Sequence, residues 1–203
     1  GTNIGIIGGD TAFFMGLEAY LFNEFEQNLN LKAIEYYEHA FKEVSDGVLI
    51  EIDMVNQKKL SIEDYIEMIS LKTGALIEKS ILIGANYAEV NKQYYKHIST
   101  YGKTLGLIFQ IIDDILGSFG NEKLTGKPTD GDIREGKKTC LLIEAYNKLE
   151  DKDAAHLNEL IEKTHMTDDE VQEVKNLYMK VDVVNSCKNL AEKYFHEAKA
   201  ALD

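Results

Sequence analysis

The chain has 203 residues, 44% hydrophobic and 28% charged, and its 35 acidic against 22 basic side chains give a net charge of −13. A chain of this size buries one good core and is expected to form a single domain over residues 1–203, which excludes a disordered segment. The charge excludes nucleic acid as a partner, because a phosphate backbone binds basic surface, and an anionic ligand would need cations gathered locally.

No uninterrupted apolar run approaches the roughly 20 residues that cross a bilayer, and no charged-then-apolar leader opens the sequence. With Cys140 and Cys187 as the only cysteines, reduced buried thiols are expected, and the compartment reads as cytoplasmic. One Pro, no Trp and little period-two alternation leave helical periodicity dominant. A first helix closes around Tyr20, Leu21, Glu24 and Phe25 and carries small residues at Gly8, Gly9 and Gly16. A second is expected from about Leu31 to Val55, with Ile34, Tyr37, Phe41, Val44 and Val48 on one stripe. Ser61, with Asp64 three residues on, predicts a capped third helix that carries Tyr65, Ile69, Lys72, Thr73, Leu76 and Leu82 to about Asn86. A fourth is expected from about Asn91 to Phe119, followed by a loop to Lys138 rich in Gly and Lys. Helices near Thr139–Leu149 and Ala154–Thr164 come next. Thr167 and Glu170 make a capping box for another, and the last is expected from Asp182 to about Leu202. The predicted fold class is all-α, a helical bundle with long central helices.

Asp113 and Asp114 stand amid Leu107, Ile108, Phe109, Ile111, Ile112, Ile115 and Leu116. Two adjacent ionised carboxylates in such surroundings are costly unless compensated, and a hard divalent cation is a natural compensation. Magnesium takes one or two carboxylates and completes its shell with water and phosphate oxygens. Gln110, one turn before Asp113, brings an amide to the same face. Adjacent helical residues point about 100° apart, so Asp114 is a more doubtful ligand beside Asp113. An isolated Asp-Asp pair on a helix is usually a solvated pair of acids; the apolar setting and the basic loop downstream argue against that here.

That loop holds Lys123, Lys127, Arg134, Lys137 and Lys138, with glycines that let backbone approach a ligand closely. A lysine ammonium is a compact point charge suited to phosphate. Lys72 beside Thr73 offers a charge and a hydroxyl to the same anion. Acids that hold divalent metal, beside lysines that hold phosphate, are what a diphosphate leaving group requires.

The run Phe109-Gln110-Ile111-Ile112-Asp113-Asp114-Ile115-Leu116-Gly117, followed by Gly126-Lys127-Pro128 and Asp132-Ile133-Arg134-Glu135-Gly136-Lys137-Lys138-Thr139, resembles the second aspartate-rich motif of trans-polyprenyl diphosphate synthases, especially the archaeal geranylgeranyl type. The family commonly has a third Asp four residues after the first; Gly117 stands there, as in many archaeal-type members, which leaves Asp113 as the principal ligand the resemblance implies. The resemblance implies that Lys127 and Lys137 contact the allylic diphosphate together with Lys72, Thr73 and Gln110, that Asp113 and Asp114 hold Mg2+, and that Lys72, Asp113 and Lys127 are catalytic. Asp132 matches the family's loop acid. The stretch Gly47-Val48-Leu49-Ile50-Glu51 departs from the family's Gly-Gln followed by an acid: Glu51 keeps the carboxylate, and Val48 removes the amide.

Gly1 to Asp10 resembles the helix just after the family's first aspartate-rich motif, so that motif and the isopentenyl diphosphate site are expected upstream of this chain. The implied activity is elongation of an allylic prenyl diphosphate with isopentenyl diphosphate, releasing pyrophosphate and forming a geranylgeranyl or farnesyl product. With one acidic motif, this chain alone is expected to be inactive. A homodimer is also implied, built on surplus apolar surface of the Leu31–Val55 and Ser61–Asn86 helices. Phe13, Phe14, Leu17 and Ile77 are candidates for a tunnel lining and equally for plain core. A non-catalytic subunit that keeps the fold is the alternative, and a helical interaction module with fortuitous motifs is a further one.

Overall fold

The structure is a computed structural model that describes residues 2–57, 59–121, 123, 126 and 129–203. Among the described residues every regular element is helical. In chain order these are α1 (Thr2–Leu21), α2 (Gln27–Val55), α3 (Ile62–Ile69), a π-helical turn (Ser70–Gly74), α4 (Ala75–Tyr87), a 3-10 turn (Lys92–Tyr94), α5 (Tyr95–Phe119), α6 (Gly131–Arg134), α7 (Cys140–Lys148), α8 (Asp151–Ile161), α9 (Asp168–Lys180) and α10 (Val183–Ala200). The all-α expectation is met, and both predicted capping boxes form. The Ser61 hydroxyl accepts from the Asp64 N–H while Asp64 takes the Ser61 N–H, and Thr167 and Glu170 do the same for α9.

Three details differ from the sequence reading. The first helix stops at Leu21, short of Glu24 and Phe25, where Asn23 turns its amide back onto the Ala19 carbonyl at 2.9 Å. The third is not continuous: its middle widens into the π turn, which carries Lys72 and Thr73. The Gly120–Lys138 segment contains the one-turn α6, anchored by Arg134 on Asp130 at 2.6 Å.

The buried line of α2 is Ala33, Ala40, Gly47 and Met54, a seven-residue repeat of mostly small side chains; the predicted stripe of Ile34, Tyr37, Phe41, Val44 and Val48 lies half-buried beside it. Small residues win the centre because α2, the π turn and α5 pack at backbone contact. A Cβ on Gly47 would lie 2.4 Å from the Lys72 backbone nitrogen, and one on Gly106 would lie 2.5 Å from the Gly74 Cα. α5 is the axis of the bundle, packed on α10, α4, the π turn, α3, α6 and α7. It buries Leu107, Ile111 and Ile115 in one core with Tyr65, Ile69, Leu141, Ile143, Leu157, Val174 and Cys187. Full burial of such an aliphatic side chain contributes about 1.5–3 kcal/mol. At the start of α4, the buried Glu78 and Lys79 pair with each other at 2.9 Å; Glu43 completes the lysine's shell and Ser99 donates to Glu78.

α1 buries no residue completely. Phe13 stacks on Tyr37 and meets Phe41 edge-on, at 5.3 and 4.3 Å between ring centroids, and the Tyr37 hydroxyl donates to the Phe13 carbonyl at 2.6 Å. Phe14 of the same helix is exposed, so the expected tunnel face is not a single wall here. Ile4, Ile6, Ile7, Phe14 and Met15 on α1 are exposed, as are Leu31, Leu49, Ile52 and Val55 on α2. The surplus apolar surface therefore lies on α1 and α2, whereas the Ser61–Asn86 stretch is largely used up inside the bundle. By length and composition alone, α1 is also long and apolar enough to cross a membrane, which corrects the reading that no such stretch exists. The physical reason is that glycine and alanine dilute its two acids without adding charge.

Candidate functional site

One polar chain threads the apolar centre where α3, the π turn, α5 and α6 meet. The Thr73 hydroxyl donates to Gln110 Oε1 at 2.8 Å, and Gln110 Nε2 donates to Asp114 Oδ1 at 2.9 Å. Lys137 Nζ reaches the same oxygen at 3.1 Å, and the Tyr65 hydroxyl donates to Asp114 Oδ2 at 2.8 Å. Asp114 is only 1% exposed, and these three donors are what make its burial tolerable. Asp113, the residue before it, is half-buried and points about 100° around the helix from it.

Asp132 completes the acidic group. Its carboxylate lies 3.4 Å from Lys137 Nζ and packs over position 117, where a Cβ would sit 2.8 Å from Asp132 Oδ2. Gly117 is thus the residue that leaves room for the loop acid beside Asp113 and Asp114. Burial raises the Asp132 pKa; Lys137 opposes the rise, and the negative charges of Asp114 and Asp113 add to it. Burial works against the charge of Lys137, but Asp114 and Asp132 outweigh it, and the lysine pKa stands above its ordinary value. Lys138, next in sequence, is pushed down by burial with only Glu162 opposing.

Lys72 sits on the π turn and is held by both oxygens of Glu51, at 2.6 and 2.7 Å. The extra residue in the turn and the close approach at Gly47 set this geometry, a pattern frequent at functional sites. Glu51, the acid that keeps the family's carboxylate on α2, is therefore the counter-ion of Lys72.

The structure thus brings Thr73, Gln110, Asp114 and Lys137 into one hydrogen-bonded set, with Asp113 adjoining it and Lys72 beside Thr73. Lys127 lies outside the described residues. Sequence reasoning missed Tyr65, whose signal was a phenol inside an apolar helix face that must find a hydroxyl partner once buried. It also missed Cys140, which lies against Tyr65 and Cys187; its thiol pKa is pushed far up by the Cys187 thiol and by burial.

Among the described residues no three His, Cys, Asp or Glu side chains are arranged to hold a metal ion by themselves. Magnesium does not need three, since it keeps waters and takes phosphate oxygens. Asp113 fits that role. Asp114, with both oxygens committed to Tyr65, Gln110 and Lys137, fits it only if one of those donors is displaced.

The fold is an all-α bundle that places paired acids on its central helix, with a lysine and a threonine from neighbouring elements in the same hydrogen-bonded set. The Polyprenyl synthetase family model matches residues 1–179, and the chain belongs to that family. It is 34% identical over 174 residues to a short chain isoprenyl diphosphate synthase of Methanocaldococcus jannaschii, covering 85% of this chain and 52% of that protein. A geranylgeranyl diphosphate synthase of Sulfolobus acidocaldarius is 32% identical over 173 residues, with the same coverage of each chain, 85% and 52%. The chain therefore spans about half the length of these curated relatives. Among solved structures, the geranylgeranyl pyrophosphate synthetase of Pyrococcus horikoshii superposes with a TM-score of 0.88 at 30% identity, over 98% of this chain and 61% of that one. A polyprenyl synthase of Caulobacter crescentus, complexed with calcium and isoprenyl diphosphate, gives 0.79 at 29% identity over 84% of this chain and 52% of that one.

Proposed function

We propose that this chain carries the allylic-diphosphate side of a prenyltransferase that elongates an allylic diphosphate with isopentenyl diphosphate and releases pyrophosphate. The observation that supports this most is the Thr73–Gln110–Asp114–Lys137 set beside Asp113: a cation, a hydroxyl and a carboxylate held by hydrogen bonds at one place in an apolar bundle. Lys137 and Lys72 neutralise charge on the departing diphosphate, Thr73 donates to it once its hydroxyl leaves Gln110, and the apolar flanks keep water from the allylic cation. Magnesium, when bound at Asp113, supplies Lewis-acid stabilisation of the leaving group. Lys72 must exchange Glu51 for a phosphate oxygen, and it is half-exposed and so placed to do this. The relatives named above are all synthases, which lends a non-catalytic role no support. With one acidic motif, the 203 residues are expected to bind the diphosphate without turning it over. The open apolar faces of α1 and α2 favour a homodimer.

Calorimetry with pyrophosphate tests the reading. Weak binding that appears only with magnesium is expected, and tight binding in chelator would sink the metal-bridged site. A radiolabel assay for longer prenyl diphosphates, with Asp113→Ala as the control for contaminating host enzyme, tests the lack of turnover.

A further inference from the structure

Tyr65 is fully buried on the first turn of α3, at a position fixed by the Ser61–Asp64 capping box. Its hydroxyl is the donor to Asp114 Oδ2, while Oδ1 takes Gln110 and Lys137. The Gln110 amide is itself oriented: its oxygen accepts from Thr73, so its nitrogen faces Asp114. α3 and the π turn therefore clamp one face of α5 twice, by Tyr65 on the acid and by Thr73 on the amide. With both oxygens held, the Asp114 carboxylate has one orientation, and it presents Oδ1 to the Lys137 ammonium.

We propose that Tyr65 is a positioning residue for the diphosphate site: its hydroxyl fixes Asp114, and Asp114 in turn sets where the Lys137 ammonium stands. The inference rests on the diphosphate reading given above. Removing the hydroxyl leaves a buried carboxylate oxygen short of a donor. The carboxylate is then free to turn, and the Lys137 ammonium bonded to it is no longer held in one place. The ammonium would lose its fixed position at the mouth of the site without any residue at the mouth having changed.

The test is a double-mutant cycle read by calorimetry of magnesium pyrophosphate, with Tyr65→Phe, Lys137→Ala and the pair, each checked for native circular dichroism. Tyr65→Phe should weaken binding about fivefold alone and leave it nearly unchanged when Lys137 is already Ala. Equal losses in both backgrounds would mean that the phenol acts only on local packing, and would overturn the proposal. A second measurement needs no ligand. In protein labelled with 13C-lysine, the Lys137 side-chain signal, identified by its loss in Lys137→Arg, should change from immobile to mobile in Tyr65→Phe. It should stay immobile in Tyr146→Phe, which removes a hydroxyl bonded to Asn158 instead. An immobile Lys137 in Tyr65→Phe overturns the proposal whatever pyrophosphate does. Failure of the wild type to bind pyrophosphate, with the lysine signal responding as expected, overturns the diphosphate reading and leaves the positioning link standing.

Discussion

Replacing Lys137 by Ala should destabilise the chain far more than the same change at Lys138. Lys137 Nζ lies 3.1 Å from the buried Asp114 and 3.4 Å from Asp132, so its removal leaves two carboxylates close together with no cation between them. Breaking one side of a buried pair costs about 3–5 kcal/mol. Here the lysine side chain is 26% exposed and Asp114 keeps Tyr65 and Gln110, which brings the expected loss to about 2 kcal/mol. Lys138 makes no hydrogen bond or ion pair among the described residues, and its loss should stay within about 0.5 kcal/mol. Urea titration at pH 7 measures both, as a shift in midpoint at constant slope. The sign with pH is fixed. Asp132 already has its folded pKa raised above the ordinary 3.8, chiefly by burial, and loses its opposing cation in the variant. A carboxyl with a raised folded pKa contributes stability below its unfolded value and loses it as pH rises through the folded one. The deficit of Lys137→Ala should therefore be full at neutral pH and close as pH falls toward 3.8. Equal losses at Lys137 and Lys138, or a deficit that grows on acidification, would refute the view that this lysine neutralises the buried acids.

Gly106→Ala should cost about 3 kcal/mol by pressing a methyl to 2.5 Å from the Gly74 backbone, whereas Gly84→Ala, with nothing within 4 Å, should stabilise by about 0.5–1 kcal/mol; thermal melts of the two decide it. The Glu170 pKa is lowered to about 2 by Lys163 and Thr167, so its contribution is full above 4.5 and lost as pH falls from there toward 2. Thr167→Ala should cost about 1 kcal/mol at neutral pH and flatten the acid limb of Tm against pH; an unchanged limb would discount the capping box. Sedimentation should show a dimer of the 22.9 kDa chain, and Ile7→Glu should disperse it; a monomer at micromolar concentration would contradict the proposed use of the α1 and α2 faces.

The all-α class, both capping boxes and the placement of Asp113, Asp114 and Gln110 on one long helix were legible in the sequence, because periodicity and capping are local properties with a period that residues three and four apart reveal. Lys72 and Thr73 were legible as a pair, but not the π turn that presents them, since one extra residue in a helix leaves no mark in composition. That the two neighbouring acids face different ways followed from the 100° step between them; that Asp114 is the buried, three-times-bonded one was decided by Tyr65 and Lys137, which stand 49 and 23 residues away. The same holds for Glu51, whose pairing with Lys72 depends on α2 meeting the π turn at Gly47, and for Asp132, whose place over Gly117 depends on how α6 folds back onto α5. Local chemistry chose which residues could serve a diphosphate. Close packing of distant helices decided which of them meet one another, because hydrogen bonds between side chains are set by separations of a few ångströms that no spacing along the chain encodes.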